Sequence, residues 1–123
     1  MNDADQALYA QAQAAAALAY APYSSFHVGA AVRARDGRVF RGVNVENAAY
    51  PLGICAERSA LAGAVGEGLR PGDLEAIAIT ASPCGGCRQW LLEFRLDRVI
   101  YLDNKGALVA SAPDELLPDS FSL

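Results

Sequence analysis

Histidine is almost absent from this chain: one residue, His27, in 123. A zinc or catalytic site built on several imidazoles is therefore excluded. Cysteine is also scarce, at three, and the count is odd. The N-terminal stretch Met1-Asn2-Asp3-Ala4-Asp5 is acidic and lacks the basic flank of a secretory signal. A cytoplasmic location is expected, and there disulfides are disfavoured and metal binding or catalysis is the better use of thiols. No hydrophobic run approaches the length of a membrane span; the longest, Ala14 to Ala19, is short and alanine-rich. No internal repeat, low-complexity tract or linker is visible. Excess positive charge is missing too. The net charge is −4 and the isoelectric point about 4.8, which argues against a nucleic-acid polymer as partner.

What is present suits one folded domain. Hydrophobic residues make up 53% and charged residues 20%, a balance that supports a packed core. Asp3 to Tyr20 reads as a helix whose first turn Asp3 or Asp5 caps or charges. Val28 to Ala34 and Arg38 to Val45 read as a hairpin across Asp36-Gly37, with Arg33, Arg35, Arg38 and Arg41 on a solvated face. A polar loop follows at Asn44 to Asn47. Ile54 to Val65 is a second helix and Leu74 to Ala81 a buried strand. Pro83 is placed at the start of a third helix, Cys84 to Arg95. Asp97 to Leu102 and Ala107 to Ala110 are strands, and Asp114 to Leu117 a last helical turn. This order predicts an α/β fold: a single mixed sheet of about five strands sandwiched between helices.

The chemistry gathers at Cys55-Ala56-Glu57 and Pro83-Cys84-Gly85-Gly86-Cys87. Cys84 and Cys87 stand three apart, so on a helix they share a face. All three cysteines fall at predicted helix starts, where the dipole and free N–H groups favour thiolates. The residues alone admit three arrangements: an open three-cysteine zinc site, a closed site completed by His27, and a redox dithiol with Cys55 as a bystander. Glu57, two residues from Cys55, favours the open site, because a carboxylate that does not ligate the metal can move protons beside it. Three thiolates leave a zinc ion with net negative charge, so either Arg58 or Arg88 is expected to donate hydrogen bonds to the sulfurs, the other reading for Arg88 being an exposed helix arginine.

These segments together resemble the small homo-oligomeric cytidine deaminases of pyrimidine salvage. The resemblance is carried by Tyr20-Ala21-Pro22-Tyr23-Ser24 with Phe26, by Val28-Gly29-Ala30-Ala31, and by Gly42 through Tyr50. It continues through Ile54-Cys55-Ala56-Glu57-Arg58, Ser82 through Gln89, and Glu115-Leu116-Leu117-Pro118 with Phe121. It implies one zinc-dependent deaminase domain over residues 1–123, one zinc ion per chain on Cys55, Cys84 and Cys87, and Glu57 as general acid and base. It implies Asn44 and Glu46 on the ribose 3′-hydroxyl, Phe26 against the pyrimidine, and the Ala56 N–H on the base carbonyl. Tyr50 would border a pocket shared between subunits, and Phe121 would reach a neighbour's site. Arg58, Arg88 and Gln89 would support the metal site from behind. The implied reaction is hydrolytic deamination of cytidine and 2′-deoxycytidine by a homotetramer, or a dimer. A deaminase of another aminopyrimidine, such as a cytosine-bearing antibiotic of the blasticidin S kind, is the nearest alternative. A non-catalytic zinc-stabilised protein is the more distant one. Two features depart from the family pattern: a short link between Ala81 and Pro83, and Gly86 in place of an alanine. His27 matches no family role.

Overall fold

A computed structural model describes all 123 residues. The elements run α1 (Asp3–Ala16), β1 (Gly29–Ala34), β2 (Val39–Val43), α2 (Ala56–Gly66), β3 (Leu74–Ile79), α3 (Gly85–Glu93), β4 (Arg98–Leu102), β5 (Leu108–Ser111) and α4 (Pro113–Leu116). The five strands form one sheet in the order β2-β1-β3-β4-β5. Only the β3–β4 pair is parallel, and α3 supplies the crossover that a parallel pair requires. The expected mixed sheet between helices is what forms.

Alternation along the strands sorts the core into two layers. Ala30, Val32 and Ala34 of β1, Ile77 and Ile79 of β3, and Val99 of β4 pack with Ala60, Leu61 and Ala64 of α2 and Leu91 of α3. On the opposite face Ala31, Ala76, Ala78 and Ile100 meet Leu8 and Ala12 of α1. The small residues matter because both helices lie directly on the sheet. A Cβ at Gly29 would overlap the Ala12 carbonyl oxygen, and one at Gly42 would overlap the Ala56 carbonyl oxygen and the Ala60 nitrogen. Gly42 thus lets the start of α2 settle on β2. No helix is long and apolar enough to cross a membrane.

Several boundaries differ from those expected. α1 ends at Ala16 rather than Tyr20. The backbone of Tyr20 is claimed elsewhere: its N–H donates to the Asn44 carbonyl at 3.0 Å and its carbonyl accepts from the Glu46 N–H at 2.9 Å. Asn2, not Asp3 or Asp5, caps α1, accepting the Asp5 N–H at 2.8 Å. Asp5 is instead fully buried and paired with Arg98 of β4. Pro83 precedes the cap of α3 rather than starting the helix, which begins at Gly85. A single 3₁₀ turn, Tyr50–Leu52, interrupts the loop after β2. The arginines of the first hairpin divide. Arg33, Arg35 and Arg38 pair with Glu75, Asp97 and Asp36, while Arg41 stays exposed.

Candidate active site

Two backbone bridges assemble the site. Val45 pairs with Tyr20 on one side and with Ile54 on the other. Val45 and Ile54 exchange both N–H···O bonds at 3.0 Å. The loop from residue 20 to 28, the segment from residue 44 to 46, and Cys55 are thereby drawn together. They line one cleft of about 800 Å³, whose walls include Phe26, Asn44, Glu46, Tyr50, Cys55, Ala56, Glu57, Arg58 and Cys84.

Cys55 is the N-cap of α2 and Cys84 the N-cap of α3, both with extended backbone and neither using its side chain to cap. Cys87 sits in the first turn of α3 and is fully buried. Two helix N-termini therefore converge on the sulfurs, as expected. The three Sγ atoms lie within 4.8 Å of one another, and Cys55 and Cys84 approach to 3.9 Å. Tetrahedral zinc–thiolate bonds of about 2.3 Å put sulfurs about 3.8 Å apart, so the cluster has the dimensions of a zinc site.

Its electrostatics point the same way. A hydrogen bond from Cys87, helped by the Arg58 guanidinium, brings Cys55 down to about 5, against the opposing effect of burial. Cys87, hydrogen-bonded to Cys55 and buried beside Glu57, is pushed well up. The protein alone thus favours a thiolate at Cys55 and keeps the proton on Cys87. A dication is what allows the thiols to ionise together. His27 is not a member of the cluster; it is exposed, with Nδ1 3.1 Å from the Ser25 carbonyl. The closed arrangement is therefore not formed. The presence of Cys55 among the sulfurs is equally at odds with a simple dithiol.

Glu57 lies in the first turn of α2 and is 4% exposed. Burial pushes its carboxyl above the ordinary value, against hydrogen bonds from its own backbone N–H and from Cys87. A raised carboxyl beside a metal site suits a group that must hold a proton and release it. Ala56 is the first residue of α2, so its N–H has no acceptor within the helix.

Asn44 and Glu46 are mostly engaged within the protein. Asn44 donates through Nδ2 to the Phe26 carbonyl and accepts the Val28 N–H at Oδ1, both at 2.8 Å. Glu46 accepts the Tyr23 and Ser24 N–H groups at 2.9 and 3.0 Å and the Ser24 hydroxyl. These bonds, the Ser24 hydroxyl first among them, hold its carboxyl below the usual range. An amide nitrogen has two hydrogens and a carboxylate about four acceptor positions. One donor on Asn44 and about one acceptor position on Glu46 remain, which is the complement of a single hydroxyl group.

The supporting residues separate. Arg58 donates from Nη2 to Cys55 Sγ at 3.2 Å, as expected. Arg88 does not reach a sulfur. It donates to the Pro83 carbonyl at 2.9 Å, the Leu116 carbonyl at 3.0 Å and Ser82 Oγ at 3.4 Å, clipping α3 to the preceding turn and to α4. Gln89 donates to Glu93 at 3.4 Å and to the Phe121 carbonyl at 3.2 Å, and so fastens the C-terminal segment rather than the cluster. Phe121 is 73% exposed and does not line the cleft of its own chain. The wall also holds residues to which the sequence assigns no role, Ser24 and Ser82 among them. A serine two residues before the aromatic Phe26 is a turn signal that points to the first of them.

Comparison with known proteins places this geometry. The family model for the cytidine and deoxycytidylate deaminase zinc-binding region matches residues 2–103. A cytidine deaminase of Sporosarcina psychrophila is 43% identical, over 94% of this chain and 89% of that protein. One of Halalkalibacterium halodurans is 47% identical, over 85% of this chain and 83% of that protein. The crystal structure of cytidine deaminase from Burkholderia pseudomallei shares 44% identity and superposes with a TM-score of 0.89, covering 98% of this chain and all of the other. The chain belongs to the zinc-dependent cytidine and deoxycytidylate deaminase family.

Proposed function

We propose that this chain hydrolytically deaminates cytidine and 2′-deoxycytidine to uridine and 2′-deoxyuridine, releasing ammonia. The whole of residues 1–123 acts as one domain with one zinc ion, in the cytoplasm. The observation that carries the reading is a buried carboxylate, Glu57, beside a cluster of three sulfurs at the wall of a cleft that also presents one hydroxyl-sized donor and acceptor pair.

Cys55, Cys84 and Cys87 hold the metal. When bound, zinc supplies Lewis acidity that makes water a nucleophile near neutral pH. Glu57 accepts one proton from water and delivers it to pyrimidine N3, and then takes the proton of the new C4 hydroxyl to the departing amine, leaving the C4 carbonyl. Attack at C4 forms the new C–O bond and loss of ammonia breaks the C–N bond. Arg58 draws charge from Cys55. Asn44 and Glu46 bind the sugar 3′-hydroxyl, Phe26 packs on the base, and the Ala56 N–H meets the base carbonyl.

The active form is a homo-oligomer, a tetramer by family analogy. Tyr23, Phe26 and Tyr50 of the cleft wall, with Leu52 next to them in the chain, are between 62% and 90% exposed, the kind of apolar surface that marks an interface. Neighbouring copies cover it, with Tyr50 at the shared border and Phe121 entering a neighbour's cleft. The test is turnover of cytidine by protein of known zinc content. Conversion of neither cytidine nor deoxycytidine by zinc-replete protein overturns the reading.

A further inference from the structure

We propose that Ser24 is a positioning residue that couples sugar recognition to base packing, by linking the Glu46 carboxylate to the backbone of Phe26. The inference rests on the functional reading above, which places Glu46 on the sugar and Phe26 on the base.

Ser24 uses its hydroxyl in both senses. It donates to Glu46 Oε2 and accepts the Phe26 N–H at 3.0 Å. One hydroxyl therefore stands between the two recognition groups. The carbonyl of the same Phe26 is held by Asn44 at 2.8 Å. Both backbone polar groups of Phe26 are thus fixed by side chains, one of them directly by a sugar-recognition residue and the other through Ser24.

The segment needs such fixing. It lies outside regular structure, between the end of α1 at Ala16 and the start of β1 at Gly29. Ser25, in its middle, has φ of 61°, a left-handed conformation that a residue with a Cβ adopts only when its surroundings impose it. The Glu46 carboxylate anchors the residues just before Ser25, by gathering the Tyr23 N–H, the Ser24 N–H and the Ser24 hydroxyl, while the Ser25 N–H donates to the Ala21 carbonyl at 3.0 Å. Without the hydroxyl, Phe26 loses its amide acceptor and Glu46 Oε2 loses its donor. The carboxylate stays anchored at Oε1 by the Tyr23 and Ser24 N–H groups, but Oε2 is no longer held in the orientation where the last acceptor site meets the sugar. Ser24 makes no hydrogen bond to Glu57 or to any cysteine, so the loss falls on binding rather than on proton transfer.

The experiment is steady-state kinetics of wild type, Ser24→Ala and Ser24→Thr, each on cytidine and on 3′-deoxycytidine, with zinc content measured for every preparation. Ser24→Ala is expected to raise KM for cytidine about tenfold, the value of one hydrogen bond to a charged group, with kcat within about twofold. Its KM for 3′-deoxycytidine should rise less, because that substrate feels only the loosened Phe26 and never used the oriented carboxylate. Ser24→Thr, which keeps the hydroxyl, should restore KM for cytidine. A general loosening of the fold would lower kcat and raise KM on both substrates alike, and that result overturns the proposal. So does an unchanged KM for cytidine, or failure of threonine to rescue. A wild-type enzyme inactive on cytidine overturns the functional reading itself, which separates the two failures.

Discussion

At the scale of single residues, the charges near the sulfurs decide how readily the thiols ionise. The Cys55 thiolate is favoured by a hydrogen bond from Cys87 and by the Arg58 guanidinium beside it. Replacing Arg58 with alanine raises the pKa of that thiol, so protons compete for the sulfur at higher pH. The pH at which half the zinc is released during acid titration should therefore move up, and zinc affinity at neutral pH should fall about 10–100-fold, read with a competing chelator. The cysteines and Glu57 were legible in the sequence because their spacing is local: each stands at or within one turn of a helix start. Arg58 and Arg88 look alike in sequence, each following a key residue. Only the fold separates them, since the partners of Arg88 are the carbonyls of Pro83 and Leu116, the second of them 28 positions away. The inward hydrogen bonds of Asn44 and Glu46 were hidden for the same reason, because they depend on the loop from residue 20 to 28 folding back.

At the scale of elements, the site depends on where two helices begin. Gly42 lets the first turns of α2 rest on β2. Gly42→Val should destabilise the protein by about 3 kcal/mol or more, judged by its urea midpoint, and should lower zinc occupancy because α2 carries Cys55 and Glu57. Arg88→Ala is expected to cost about 1–3 kcal/mol through lost hydrogen bonds between α3, α4 and the Pro83 turn. Unlike Gly42→Val, it should leave zinc stoichiometry near one per chain, which elemental analysis would check. The five strands and the long helices were readable from periodicity and from Asp36-Gly37. The early end of α1 was not, because alanine and leucine continue to Ala19 and favour helix; the pairing of Tyr20 with Val45 overrides that preference. The 3₁₀ turn at Tyr50–Leu52 is short and leaves no periodic signal.

At the scale of the whole molecule, a chain of 12.9 kDa carries an apolar cleft rim that it does not cover itself. Sedimentation should give a mass near four times that of one chain, and Tyr50→Asp, at a residue 90% exposed, should shift the population towards smaller species. A wild-type protein that sediments as a monomer contradicts the assembly. None of this was visible from composition, since surface exposure is a property of the folded chain. The acidic balance, by contrast, was legible at once and fits a small-molecule substrate. The most direct test of the central claim is loss of the cytosine absorbance when zinc-quantified wild-type protein and Glu57→Gln are each given cytidine. The account predicts about one zinc per chain in both, turnover by the wild type, and a fall in kcat of about 10²–10⁴-fold or more in the variant. Comparable turnover by a zinc-replete Glu57→Gln protein would contradict it.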